Sequence, residues 1–433
     1  MVYNQPVKPK GDPLEQFDPD YLVTLDEIYH SHWCAGRKLR IELLREAVAH
    51  FWPEGHPTAL IHVTGTNGKG SVIYYLEQGL RAYGDVGAWN GPHLFDYAER
   101  FHINCQPVSH PDIVRTYREK IVPYQSGLAR RNLDHTLSFA EIGILVSLHL
   151  FERYQVKWGM MEVGAGGRYT PLMALKVAAC VLTNIGDDHT KTLGTEKWQR
   201  VLEKAGIART GVPFFTADRG TTAGYVAKTI RAQGGRISPL SEKEEEAVAR
   251  RLPRAPLFKI RNLALAVKII RHFYPRFEFD PSLFRRELPG RFSYVAPNII
   301  ADVSHNSDKV KSFIQHLKST HPGRKFKFIL GLTRKRKADQ VFKPLLDISS
   351  RIVITSASYA GRDPEEVFRE LKQAGFKNLK ITPDPEQAFR EERQNLSADD
   401  ILVLTGSAYM IEQALNKDPF VKHLNRTYGR RYQ

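Results

Sequence analysis

From about residue 58 the chain alternates short apolar runs with longer stretches whose apolar residues recur at helical spacing. TALIHVTG (58–65) reads as a buried strand running into a glycine turn, and SVIYYLEQGLRAYG (71–84) follows with apolar residues three and four apart. VKWGMMEVG (156–164) and AACVLTNIG (178–186) read as two further strands that end in glycine. Just before the first of them lies SFAEIGILVSLHLFERY (138–154), an amphipathic helix opened by Ser138 with Glu141 three residues on, the spacing of a capping box. A second series follows LPGRF (288–292). NIIADVS, FKFILGL, RIVITSA, NLKITPD and DILVLTG are strand-like, and DKVKSFIQHLK and PEEVFRELKQAG are helical. Strand–helix–strand alternation predicts α/β architecture, with parallel sheets covered on both faces.

The pattern places a domain boundary near 293–298, in FSYVAP, giving domains 1–295 and 296–433, with residues 1–20 a loose lead-in rich in Pro, Gly and Asp. A length of 433 residues suits two or three domains. No run of 18 apolar residues occurs, so no membrane span is expected, and the first twenty residues lack the apolar stretch of a secretory signal. Cys34, Cys105 and Cys180 are odd in number and widely spaced, which argues against a disulfide framework and fits a reducing cytoplasm.

The net charge of +16 raises the local concentration of anions. Much of it reads as solvated surface; its sharpest cluster is Arg334-Lys335-Arg336-Lys337. No nucleic-acid-binding motif accompanies it, so small anions are the expected partners and nucleic acid is not.

The chemistry concentrates in Gly65-Thr66-Asn67-Gly68-Lys69-Gly70-Ser71, between a strand and a helix. Glycines there let successive backbone N–H groups face one anion, and the helix N-terminus adds partial positive charge. Lys69 supplies a cation for the outer phosphates, and Ser71 a hydroxyl for phosphate or magnesium. Only two residues separate Gly65 from Gly68, so the spacing differs from the GxxxxGK[ST] loop. The segment nevertheless predicts ATP binding.

HVTGTNGKGSV (62–72) resembles the nucleotide loop of folylpolyglutamate and dihydrofolate synthases, members of the Mur ligase superfamily. Further segments follow in the family's order: GPHLFDYAERFHIN (91–104), LSFAEIGILVSLHLF (137–151), MEVGAGGR (161–168), TNIGDDHTKTLG (183–194), EKAGIA (203–208), LPGR (288–291), DVSHN (302–306) and LVLTGSAYMI (402–411). The resemblance covers roughly residues 20 to 415. It implies an N-terminal ATPase domain, a smaller Rossmann-like C-terminal domain and an active site between them. It also implies an ADP-forming ligase, with ATP and Mg2+ as cofactors. Such an enzyme phosphorylates an acceptor carboxylate and forms an amide with an incoming amino acid, usually glutamate.

Residue by residue, the resemblance makes Glu162, His189, Lys204 and Ser71 metal ligands, with Lys204 carbamylated. On its own, His189, beside Asp187 and Asp188, reads as a satisfied polar histidine, and Glu162 reads equally as a strand-end surface carboxylate. Asn262 in RNLALA, Arg291 in LPGR and Asp302 in DVSHN match nucleotide-contacting positions, and His305 matches a loop that holds the amino acid or acyl phosphate. Arg168, Tyr169, Thr170 and Pro171 fall where relatives line the acceptor pocket. Relatives with this layout are usually monomers, which implies a monomer here.

Several positions depart from the family pattern. The serine of SPHL is Gly91, LDATN is replaced by Tyr169-Thr170-Pro171-Leu172-Met173, and DGAHNP has become Asp302-Val303-Ser304-His305-Asn306-Ser307. Phe258 and Lys259 stand where His and Gln or Asn are common. The departures fall mainly on substrate recognition. They leave open a non-folate carboxylic acid acceptor and, in another class, a non-catalytic nucleotide-binding regulatory module.

Overall fold

The computed structural model describes residues 18–415 except 32–36, 132–135, 254, 285–287, 289, 334, 335 and 359. Chain contacts divide it into two compact units, one of residues 28–92 with 98–288, the other of residues 18–27 and 93–97 with those from 290 onward. Most of the expected lead-in, and Cys34, lie outside the described residues, but Pro19 and Asp20 already open a helix, Pro19–Tyr29.

In the first unit β1 (Ala59–Thr64), β2 (Val86–Trp89), β3 (Phe101–Ile103), β4 (Gln106–Pro107), β5 (Trp158–Glu162), β6 (Ala179–Leu182), β7 (Pro213–Thr216) and β8 (Arg236–Pro239) form one sheet. Its order is β4-β3-β2-β5-β1-β6-β7-β8. All neighbours pair in parallel except β2 with β3 and β3 with β4. The central strands β5, β1 and β6 are almost wholly buried, as parallel strands covered on both faces must be. Alternate residues Ile61 and Val63 of β1 join Val72, Leu76 and Leu80 of the Lys69–Leu80 helix in one core. Leu263, Val267 and Ile270 of the Leu257–Phe273 helix complete it. The Phe139–Arg153 helix packs against β2 and is buried from Glu141 to Phe151. Glu141 accepts from Ser138 N at 3.1 Å, as the capping box requires.

In the second unit β9 (Ser293–Ala296), β10 (Ile299–Asp302), β11 (Lys325–Leu330), β12 (Ser349–Ile354), β13 (Leu379–Ile381) and β14 (Asp400–Thr405) run in the order β13-β12-β11-β14-β10-β9. Only β9 is antiparallel. β9 lies inside the segment where the sequence pattern puts the domain boundary. Successive residues feed two cores: Ile300, Phe328, Leu330 and Val403 pack with Phe313 and Phe342, while Ile299, Ala301, Ile329 and Leu404 pack with Met410 and Ile411. Both faces are therefore covered, as the continuous apolar strands predict. Among the described residues no helix is long and apolar enough to cross a membrane.

Candidate active site

Parallel strands deliver their following loops to one edge of a sheet, where ligands of open α/β sheets bind. β1 ends at Thr64, residues 65–68 turn, and a helix starts at Lys69. Gly68 sits at φ 86°, and a Cβ there would lie 2.5 Å from Asn262 Oδ1, so Asn262 rests directly against the turn. The loop after β6 braces the turn from the other side. Asn67 N donates to Asn184 Oδ1 at 3.0 Å, Thr183 Oγ1 to Asn67 O at 2.6 Å and Gly186 N to Thr66 Oγ1 at 2.9 Å. Val72 N donates to Gly68 O at 2.9 Å, so the N–H groups of Lys69, Gly70 and Ser71 are not spent inside the helix.

Two ammonium groups meet on one carbonyl oxygen. Lys69 Nζ donates to Gly65 O at 3.1 Å and Lys204 Nζ to the same atom at 3.0 Å. Lys204, on the Lys197–Ala205 helix, is 1% exposed. Burial, and then the charge of Lys69, push its pKa from 10.5 down to about 7. Glu162 closes β5 with Oε1 3.7 Å from Lys69 Nζ and Oε2 accepting from Gly91 N at 3.3 Å. The position lacking the family's serine thus contributes a backbone donor. A Cβ at Gly91 would lie 2.5 Å from Arg100 Nη1, the head of a flexible side chain.

His189 has φ 54° and opens the Thr190–Leu193 turn of helix, its side chain 46% exposed and its Nε2 3.9 Å from Asp188 Oδ2. Arg168 is exposed, with its guanidinium carbon 5.3 Å from the Tyr169 ring centre, while Thr170 and Leu172 are buried and Pro171 begins a short turn. Arg168 N donates to Glu203 O at 2.7 Å, tying this segment to the residue before Lys204. Phe258 is 42% exposed, one helical turn before Asn262.

The second unit holds the other expected residues on its own strand ends. Asp302 is buried and accepts from Phe292 N and Ser304 N, each at 2.8 Å. Full burial raises its pKa above the ordinary carboxylate value against the pull of these bonds and of Arg291. His305 Nδ1 lies 2.8 Å from Val303 O and its Nε2 3.2 Å from Lys309 Nζ. Arg336 Nη1 donates to His305 O at 2.8 Å. Arg334 and Lys335 of the basic cluster lie outside the described residues.

A nucleotide and a divalent ion fit the first cluster. Two lysines share one carbonyl oxygen, with Glu162 close to Lys69, and a phosphate would relieve the repulsion between the two ammonium groups. Glu162 and Ser71 add hard oxygen donors. Among the described residues no three His, Cys, Asp or Glu side chains form a metal site by themselves, so ion binding would draw on Ser71 and Lys204. Sequence reasoning missed Thr183, Asn184, Arg100 and Arg200. Thr183 and Asn184 stand at a strand end and carry that positional signal; the two arginines carry none.

The fold and this phosphate site define a Mur-type ATP-dependent ligase. Residues 63–199 match the Mur ligase middle domain, and residues 290–408 match the Mur ligase glutamate ligase domain. Within that superfamily the chain belongs to the folylpolyglutamate synthase/dihydrofolate synthase family, whose members are ATP-dependent, ADP-forming amide ligases. It is 23% identical over 395 residues to the dihydrofolate synthase/folylpolyglutamate synthase of Bacillus subtilis, covering 82% of this chain and 90% of that one. Similarity to a probable bifunctional folylpolyglutamate synthase/dihydropteroate synthase of Haloferax volcanii is 23% over 405 residues; it covers 86% of this chain, which spans about half (48%) of that longer protein. The fold matches a bifunctional folylpolyglutamate synthase/dihydrofolate synthase from Yersinia pestis, crystallised with AMPPNP and Mn, with a TM-score of 0.77 and 22% identity, covering 92% and 97% of the two chains.

Proposed function

We propose that this chain joins glutamate to the carboxylate of a folate-type acceptor, and that Lys69, Glu162 and Lys204 form the centre of the reaction. The observation that carries this reading is the meeting of Lys69 and Lys204 on Gly65 O beside Glu162. The γ-phosphoryl group passes from ATP to the acceptor carboxylate, leaving ADP. The glutamate amine then attacks the acyl carbon, loses a proton and expels phosphate. Lys69 and the backbone N–H groups of the first helical turn, Lys69 to Ser71, hold the phosphate oxygens where charge develops. Glu162 and Ser71, with His189, would hold a divalent ion, which would supply further charge neutralisation on phosphate. With its pKa near 7, Lys204 is partly neutral at physiological pH, and its free amine can add carbon dioxide, releasing a proton and becoming a carbamate anion. Asn262 orients the nucleotide against Gly68. Arg291 serves the nucleotide and His305 the amino acid or acyl phosphate, while Asp302 holds the backbone of Phe292 and Ser304 beside them.

The purified chain should release phosphate from ATP only when acceptor and glutamate are both present. Equal release without either would refute ligation. Arg168 stacked over Tyr169 favours a second reading, a non-folate acceptor. A thermal-shift panel of dihydropteroate, tetrahydrofolate and unrelated small carboxylic acids decides between the two. The chain is read as a monomer that binds no nucleic acid, so size-exclusion and filter-binding measurements should give one chain per particle and no retained DNA or RNA.

A further inference from the structure

Arg200 is the largest side chain to be almost fully buried, at 1% exposure, and none of the chemistry above uses it. Burying a guanidinium is costly, so the side chain must be held by partners that repay its lost hydration. Its partners all lie on one loop. Nη1 donates to Gly194 O at 2.9 Å and to Thr195 O at 2.7 Å, and Nη2 donates to Asp187 Oδ1 at 2.5 Å. The fork therefore grips both ends of residues 187–195, the segment that carries His189. Asp187 is itself 70% exposed, so the pair draws a surface carboxylate onto a buried cation.

The helix that carries Arg200 presents Lys204 one turn later. Residues four apart share a helix face, and Lys204 reaches Gly65 O from that face. One rigid helix thus sets two distances, that of Lys204 from the phosphate turn and that of the His189 loop from Lys204. His189 needs such a restraint. Its backbone sits at φ 54°, a region that a histidine occupies only when its surroundings hold it there, and its side chain is half exposed.

We propose that Arg200 is a positioning residue, clamping the 187–195 loop so that His189 is registered against Lys204 and the phosphate turn. The proposal rests on the ligase reading above, in which His189 and Lys204 serve one divalent ion. Groups that orient metal-ligating side chains typically carry a 10- to 100-fold share of metal affinity. Arg200 acts at one remove, through the loop backbone and Asp187, so the lower end of that range is expected.

The test compares the wild-type chain with Arg200→Met, Arg200→Lys and Asp187→Asn. Mn2+ binding is followed by the loss of the free-ion electron paramagnetic resonance signal, with and without AMPPNP. AMPPNP binding in chelator, and the melting temperature, are measured in parallel. Arg200→Met should weaken Mn2+ binding about 10-fold and leave metal-free AMPPNP binding within about 2-fold. Arg200→Lys keeps the charge but lacks the fork, and should fall on the same side as Arg200→Met. Asp187 is exposed, so Asp187→Asn keeps the fold even if the arginine variants do not, and it should weaken Mn2+ binding about 3- to 5-fold by loosening one arm of the clamp. Unchanged Mn2+ affinity in Asp187→Asn, or an equal loss of metal-free AMPPNP binding in every variant, would overturn the clamp while leaving the ligase reading intact. A wild-type chain that binds no Mn2+ at all would overturn both.

Discussion

At the strand ends of the first sheet, Lys69 and Lys204 both donate to the Gly65 carbonyl, with Glu162 beside Lys69 and the charge of Asp188 acting on Lys204. At the strand ends of the second sheet the buried charge is a carboxylate, and Asp302 accepts two backbone N–H groups at 2.8 Å. The first cluster is unbalanced: like charges lie close together and one of them is desolvated. The second is desolvated as well, but it is closed on itself: both Asp302 oxygens accept backbone N–H groups that hold a turn. Groups that carry chemistry are held at a cost to stability, whereas groups that hold a turn contribute to it.

Lys69→Met should have the largest effect. Removing the only lysine of the phosphate turn should lower ATP turnover about 1000-fold, with little change in melting temperature. A loss under about 10-fold would break the contrast between the two clusters.

Lys204→Met should lower turnover about 100-fold or more and yet stabilise the metal-free fold at neutral pH. The sign follows from proton binding. The Lys204 pKa falls from 10.5 to about 7 on folding, so between those values the unfolded chain holds the extra proton. Wild-type stability therefore rises with pH through that window relative to Lys204→Met. Below pH 7 the penalty of burying the charge is complete, and the variant is the more stable protein. Calorimetry in chelator and carbon dioxide-free buffer from pH 6.5 to 9.5 reads this directly. A gap that is flat or widens in the variant's favour as pH rises would show that Lys204 keeps its proton.

In the second cluster the ranking reverses. Asp302→Ala leaves the N–H groups of Phe292 and Ser304 without their acceptor in a buried turn, and should cost about 1–3 kcal/mol by urea unfolding. Asp302→Asn, which retains one acceptor oxygen, should cost less. If Asp302→Ala abolished turnover with no loss of stability, the carboxylate would belong to the chemistry instead.

Gly91→Ser is the smallest change. The new Cβ must displace the Arg100 guanidinium, and a moderate overpacking cost of about 1 kcal/mol is expected. Turnover should change by less than about 3-fold, because Glu162 already receives the Gly91 N–H.

The long apolar strands were legible because they are buried on both faces: β1, β5 and β6 in one sheet, β10, β11 and β14 in the other. The missed strands are short or lie toward the edges. β8, RISP, has no buried residue, and β3 has only three residues. β9 lies in the segment read as a boundary because it is short, none of its residues is fully buried, and Pro297 follows it directly. In the site, Gly65 to Ser71 were legible as chemistry from their glycines, lysine and hydroxyl placed between a strand and a helix. Glu162, His189 and Lys204 needed the family resemblance, since each has an ordinary surface reading. Arg200 was not legible at all. In KWQRVLEKA it looks like any charged residue of a polar helix, and nothing local indicates that it is buried.

By itself the sequence determined the α/β alternation, the glycine turn between strand and helix, and the order of motifs that identifies a Mur-type ligase. These depend on periodicity and on backbone conformation, which neighbouring residues set locally. Only the tertiary structure decided that two lysines 135 positions apart (204 − 69) share one carbonyl and that a surface-type arginine clamps the loop between them. Burial and charge proximity arise from packing of distant segments, and they are what move a lysine from an exposed cation to a group that titrates near neutrality.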